Sequence, residues 1–474
     1  AYYGALKTGA IVTAVSPLCK EREVQFQINN SEAETMVVLD LFYPLVRKVW
    51  RKTPLRRVIV TRMKTFMPGA KGFLGSLLGK IPSVKVKREP DVYFFNELIR
   101  EYPPNPPTVK IDPREDLAAL QYTGGTTGTP KGAMLTHYNL VSNAVMCFAW
   151  LRGTPAKEIV LTVLPLFHIY GMTTSMNCPI YMAATMVMLP RFDIKEVLKA
   201  IERYRVTIFC GVPTMYAVLV SYPEIDRYDL TSIKFCISGA APLPVEVQKR
   251  FMKKTGGILV EGYGLTESSP VTHCNPLDPT MKTVKIGSIG LPWPDTEAKI
   301  VDLKRGRQLP PGKKGELVVK GPQVMKGYWK MPKETAAVLK DGWLYTGDVG
   351  TMDEDGYFYI TDRKKDLIKY KGYSVYPREI EEVLYEHSAV ELCAVIGKPD
   401  PVAGEIPKAF VVLKKGAKAS EKEIIEFVKK RVAAYKVVRE VEFRKDLPKS
   451  LVGKVLRRKL REEEIRKAKF SREL

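Results

Sequence analysis

A chain of 474 residues with 45% apolar content exceeds what one hydrophobic core normally holds, so at least two domains are expected. Its 75 basic and 52 acidic side chains leave a net charge of +23, which favours an anionic partner: a polyphosphate, a nucleic acid or an anionic membrane surface. The seven cysteines are scattered singly, with no CxxC pair and no metal-ligand spacing, which excludes a disulfide scaffold and a zinc module and reads as reduced thiols in a cytoplasmic protein.

The first 38 residues begin without Met and read as a helix, a strand, a second helix and a second strand, so the natural N-terminus is expected to be missing. From Phe66 to Arg88, FMPGAKGFLGSLLGKIPSVKVKR mixes large apolar residues with lysine and glycine and carries no acid. That composition suits peripheral contact with an anionic membrane, and equally an ordinary surface insertion. Between Leu120 and Ile360, short β-rich runs such as IVLTVLPL, VTIFCGVP, IKFCISG and GILVEGYG alternate with amphipathic stretches. This is the pattern of an α/β fold with mostly parallel sheets, whose ligand sites lie in the loops after strands. The most apolar stretch, Thr173 to Leu189, is interrupted by Asn177 and Pro179 and falls short of a membrane span. After Asp362 the texture becomes short and charged, with 29 basic against 18 acidic residues from Arg363 to the end, including a predicted helix EKEIIEFVKKRVAAY. A large N-terminal domain over 1–362, a hinge at 363–365 and a small mobile α+β domain over 366–474 are therefore expected.

The segment YTGGTTGTPKG, Tyr122 to Gly132, follows the apolar LAALQ and precedes the helix-like HYNLVSNAVMCFAW. Strand, glycine-threonine loop and helix make a phosphate-holding arrangement: glycines let backbone N–H groups face oxygens, hydroxyls donate, and Lys131 adds positive charge. It is not a Walker A loop, because Pro130 separates Thr129 from Lys131 and Gly132 follows the lysine.

This loop resembles that of the acyl-adenylate-forming superfamily, which contains acyl-CoA synthetases, aryl-CoA ligases, luciferases and peptide-synthetase adenylation domains. Six further signatures follow in the family's order: LPLFHIYG (Leu164 to Gly171), SGAAPLP (Ser238 to Pro244), EGYGLTES (Glu261 to Ser268), DGWLYTGD (Asp341 to Asp348), DRKKDLIKYKGYSVYPREIE (Asp362 to Glu381) and PKSLVGKVLRR (Pro448 to Arg458). The resemblance implies ATP, Mg2+ and coenzyme A as co-substrates and cofactor.

It also implies residue roles. Thr123, Gly124, Gly125, Thr126, Thr127, Gly128 and Lys131 would hold phosphate, and Glu267 would hold Mg2+ with Thr123 near the metal. Gly239, Ala240 and Ala241 would line one side of the adenine and Tyr263 the other, within a motif that includes Gly262, Gly264 and Thr266. Asp348 would accept both ribose hydroxyls, Arg363 would reach the same ribose, and Lys365 would be the hinge. Lys369 would touch phosphate, and Lys454 would bridge the substrate carboxylate and the α-phosphate. With Lys131 and Glu267, Lys454 completes the catalytic set. His168, Gly211, Val212, Pro213 and Thr214 would line the acyl site, and Lys371, Gly372 and Tyr373 would face CoA. Outside these motifs, Tyr263 would fit a core, Asp348 a turn and Lys454 a solvated basic run.

FHIYG offers no acid to pair with an ammonium group, so the cost of burying an unpaired charge disfavours an α-amino acid substrate. A carboxylate is already ionised at neutral pH and needs no base, which makes His168 a wall or gate. The motifs most resemble those of fatty acyl-CoA synthetases, with medium-chain and aryl acids as alternatives. A non-enzymatic nucleic-acid or membrane-binding protein could share the charge, but no basic-aromatic RNA-binding signature is present, so no nucleic acid is expected. The expected location is the cytoplasm, at the inner face of the membrane; self-association is left open.

Overall fold

Runs such as IVLT, IFCG, FCIS and ILV have no polar face to offer water, so they belong in strands covered on both sides. The computed structural model describes residues 1–67, 81–123, 130–450, 453 and 455–473, and the fold is mixed α/β. The described chain forms two compact units, one made of Ala1–Val141, Phe167–Ile169 and Met325–Thr335, the other of the remainder.

In the first unit, the strands Thr35–Leu39, Arg57–Thr61 and Val92–Phe94 form a parallel sheet. Val38, Val58 and Val60 pack from it against Val46 and Val49 of the helix Tyr43–Trp50. Between the first two helices the expected strand is reduced to a single bridge between Val12 and Ala119. Leu117–Thr123 pairs antiparallel with Lys131–Thr136, and the short strand Gly327–Tyr328 completes that sheet. The phosphate-loop sequence thus closes a β-hairpin, and the helix begins only at His137. Both faces of that strand are covered, with Ala133 and Leu135 buried on one and Gly132 and Thr136 on the other.

The second unit is built on a seven-stranded sheet, in spatial order Leu291–Pro292, Val271–Cys274, Ile258–Gly264, Phe235–Ser238, Ile208–Gly211, Ile159–Thr162 and Thr185–Met188. The last five run parallel, and the first two are antiparallel additions. Helix Ile194–Tyr204 shows how local sequence dictates this packing. Asp193 caps it by accepting from the N–H groups of Lys195 and Glu196, and Val197, Leu198, Ala200 and Ile201 form its buried stripe. An antiparallel sheet carries Glu297–Val301, Gly315–Lys320, Trp343–Met352 and Phe358–Arg363.

A C-terminal sheet, with Gly404–Leu413 between Ile368–Tyr370 and Val390–Asp400, encloses an apolar cluster of its own around Val375, Ile380, Val395, Val411 and Val438. Ser420 and Glu423 form a capping box at the start of helix Glu421–Lys429. The expected longer helix stops at Lys429 and gives a short turn at Ala434–Lys436, which brings Val437 and Val438 into the core. All seven cysteines are free thiols, six of them buried. Among the described residues, no helix is long and apolar enough to cross a membrane.

The parallel sheet ends where Gly290 passes the backbone of the Val271–Cys274 strand. Gly290 has φ +87°, and a Cβ there would stand 2.0 Å from the carbonyl carbon of Cys274. Gly290→Ala is expected to lower stability by about 3 kcal/mol or more, read as a reduced midpoint in chemical denaturation.

Candidate functional site

The Asp348 carboxylate is fixed on both oxygens. It lies in the strand Trp343–Met352 opposite Arg363 of the neighbouring strand. Its side chain is 4% exposed, Arg363 Nε stands 2.9 Å from Oδ1, and the Tyr263 hydroxyl donates to Oδ2. The Asp348 carboxylate raises the Arg363 guanidinium above its ordinary range, while burial first and then Asp348 raise the Tyr263 phenol. The backbone beneath is locked: Thr346 Oγ1 accepts from Asp348 N at 3.1 Å, and Gly347 N donates to Glu316.

Around this carboxylate the second unit gathers several expected residues. Glu267, in the turn Thr266–Ser268, lies close enough to act electrostatically on both Arg363 and Lys365. Lys365 meets solvent over part of its surface, yet desolvation and the Arg363 charge hold it down at about 8. Tyr263 rests edge-on against the buried ring of His273, which burial keeps neutral by lowering it to about 3. Gly264 is required by its own backbone, since a Cβ there would lie 2.0 Å from the Pro270 carbonyl oxygen.

The small residues of SGAAPLP have a structural cause besides any ligand. A Cβ on Gly239 would meet the Tyr170 ring at 2.9 Å, and Tyr170 donates its hydroxyl to the Ile237 carbonyl. Ala240 adopts φ +68° and Ala241 follows it at the surface of the loop. The acyl-site candidates Gly211, Val212, Pro213 and Thr214 end one parallel strand and open helix Pro213–Ser221. Gly453 touches Thr214 so closely that a Cβ there would be 2.8 Å from Oγ1.

Lys369 Nζ is held by Ser374 at 2.8 Å. Lys371 and Gly372 form the tip of a two-residue hairpin, with φ +46° and +84°, between the paired Tyr370 and Tyr373. Tyr373 stacks on Tyr435 at 4.8 Å. Glycine at 372 is thus demanded by the turn itself, and open space surrounds it.

In the first unit, Thr123 and Lys131 face each other across the hairpin, and Lys131 Nζ lies 4.8 Å from the Tyr328 ring centre. His168 is lowered to about 4 by burial and is therefore neutral. Gly124, Gly125, Thr126, Thr127 and Gly128, and also Lys454, lie outside the described residues. Among the described residues no three His, Cys, Asp or Glu side chains converge as a metal cage. A single carboxylate such as Glu267 suits a Mg2+ that arrives on phosphates and keeps its waters.

Sequence reasoning gave no role to Glu261, the one acid in the strand ILVEGYG. Its carboxylate is buried, accepts from Leu243 N at 3.1 Å in the SGAAPLP loop, and is raised to about 7, by burial against the opposing charge of Arg378. An acid flanked by Val260 and Gly262 in an apolar strand was the available signal.

The AMP-binding enzyme family matches residues 1–329, and the AMP-binding enzyme C-terminal domain matches residues 379–454. The long-chain-fatty-acid–CoA ligase of Bacillus subtilis (strain 168) is 49% identical over 466 residues, covering 98% of this chain and 83% of that protein. ATP-bound MatB from Rhodopseudomonas palustris aligns with a TM-score of 0.82 at 31% identity, over 98% of this chain and 85% of that one. The anthranilate CoA ligase AuaEII, in complex with anthranoyl-AMP, aligns with a TM-score of 0.85 at 29% identity and the same coverage.

Glu261 generates a pH prediction. Its folded pKa of about 7 lies above the ordinary 4.5, so the folded state favours the protonated acid. Its contribution to stability is complete below the ordinary value and is lost as pH rises towards about 7. Glu261→Gln keeps the acceptor for Leu243 N and removes that loss. The variant is expected to be more stable than the parent by roughly 2–3 kcal/mol at about pH 8 and nearly equal at about pH 5, measured by denaturation at both values.

Proposed function

The chain belongs to the AMP-binding enzyme family, and from that premise we propose how its residues divide the two half-reactions of acid activation and thioester formation. It is an ATP-dependent fatty acid:CoA ligase: acyl-adenylate and pyrophosphate form first, then acyl-CoA and AMP. The observation that carries the residue assignment is the buried Asp348 carboxylate, on which Tyr263 and Arg363 converge from two other motifs. A carboxylate offers about four acceptor positions, so two ribose hydroxyls can join these two donors.

In the first step a carboxylate oxygen of the fatty acid attacks the α-phosphorus of ATP, and the bond to pyrophosphate breaks. No base is needed; what is needed is alignment and neutralisation of charge. Lys131 and the loop 124–128 hold phosphate, Lys369 adds a further cation at the phosphates, and Lys454 lies between the two reacting anions. Gly453 beside Thr214 supports that placement, because Lys454 is the next residue. Mg2+, held by Glu267 with Thr123 nearby, would screen the phosphate charge. A neutral His168 and the GVPT turn wall the acyl chain.

In the second step the CoA thiol attacks the acyl carbonyl and AMP leaves. The tip Lys371-Gly372-Tyr373 serves this step after the domain beyond 365 has turned about Lys365. The reading also includes contact with an anionic membrane at its inner face. Phe66 is 66% exposed and Met67 39%, beside Lys64, while residues 68–80 lie outside the described residues. In the rest of the segment Val86 is buried and Ser83 and Val84 bond Asp40, while Lys85, Lys87 and Arg88 are exposed. Deleting 68–80 is expected to weaken sedimentation with anionic vesicles and reduce its salt sensitivity; unchanged sedimentation removes the segment from this role.

The division of labour is tested by measuring the half-reactions separately. Lys454→Ala is expected to abolish fatty-acid-dependent ATP–pyrophosphate exchange yet convert supplied acyl-adenylate to acyl-CoA. Gly372→Leu is expected to exchange normally and fail in thioester formation, with Gly372→Asn as the control that tolerates the left-handed backbone. Equal loss of both half-reactions in both variants contradicts the assignment.

A further inference from the structure

The hinge segment is crossed by a buried charge network. Arg457, at the start of helix Arg457–Glu473, donates through Nε to Glu381 Oε1 at 2.9 Å, and its Nη2 meets the other Glu381 oxygen. Glu381 is itself anchored, since its Oε1 accepts from Val395 N at 2.7 Å in the C-terminal sheet. The remaining nitrogen, Nη1, reaches Asp362 Oδ1 at 3.0 Å and stands 3.6 Å from Asp366. Asp362 precedes the hinge and Asp366 follows it, so one guanidinium joins both sides.

Burial makes this contact matter. The Asp362 side chain is 0% exposed and that of Arg457 21%, so solvent screens the pair little. Asp362 also accepts from Arg378 N at 2.7 Å and from Arg363 N at 2.8 Å. Burial raises Asp362 to about 6 against the pull of Arg457. Arg457 stands three residues after Lys454, and Gly453 is seated on Thr214. Fixing Arg457 to Asp362 therefore tethers the chain four residues after the Gly453–Thr214 contact.

Resting on the alternating-domain reading above, we propose that Arg457 is a positioning residue that latches the C-terminal domain in the adenylating pose, by tying Glu381 of that domain to Asp362 on the far side of the hinge. Rotation about Lys365 carries Arg457 and Glu381 away together and leaves Asp362 behind. The latch is made for the first half-reaction and open for the second.

The test uses the full chain, with palmitate and ATP for exchange and palmitoyl-adenylate with CoA for transfer. Arg457→Gln is expected to lower ATP–pyrophosphate exchange about ten- to a hundredfold while leaving transfer unchanged or faster. Asp362→Asn, which removes the charge that faces Arg457 and keeps one of the two acceptor oxygens, is expected to show the same split even where Arg457→Gln folds poorly. The double variant is expected to be no slower in exchange than the worse single one, because both remove one interaction. Arg457→Lys is expected to recover part of the exchange. A change confined to folding moves both half-reactions together, so equal losses, or additive losses in the double variant, overturn the latch. If the parent itself shows no acid-dependent exchange, the ligase assignment fails instead.

Discussion

A buried carboxylate must be neutralised or the fold loses several kcal/mol, and Asp348 sets the terms for everything near it. Its charge requires Arg363, which holds the end of the strand Phe358–Arg363 in register with Trp343–Met352. It also draws the hydroxyl of Tyr263, which ends a strand of the parallel sheet. One side chain thus ties the antiparallel sheet, the parallel sheet and the segment leading to the C-terminal sheet. The residues that satisfy it are those that would face a nucleotide.

Chemistry follows from the same economy of charge. The nucleophile is already an anion, so the protein supplies cations and rigid acceptors. The two strongly lowered histidines, His168 and His273, accord with this, because burial leaves both neutral. Glu261 is the counter-example: an acid raised to about 7 beneath the SGAAPLP loop, fastening Leu243 N from below.

Much of this was legible in the sequence. The apolar runs announced the parallel sheet, and the motif order announced the family that matches residues 1–329 and 379–454. What escaped depended on pairing and packing that no single run of residues records. KGAMLT is too short to distinguish from a helix start, and only pairing with Leu117–Thr123 makes it a strand. Gly239 is small for Tyr170, sixty-nine residues earlier, and no local pattern records that. Gly372 was expected to face CoA, and the hairpin turn favours glycine there independently. Arg457 looked like one of several basic residues in VLRRK until Asp362 and Glu381 were seen to converge on it.

The central claim is that activation runs through an enzyme-bound acyl-adenylate before CoA is engaged. Rapid-quench single turnover with α-labelled ATP, a long-chain fatty acid and excess enzyme tests it directly. The account predicts that labelled acyl-adenylate rises without CoA, accumulates, and then falls to AMP as acyl-CoA appears when CoA is added. Formation of labelled ADP in place of AMP, or acyl-CoA appearing with no adenylate preceding it, would contradict the account.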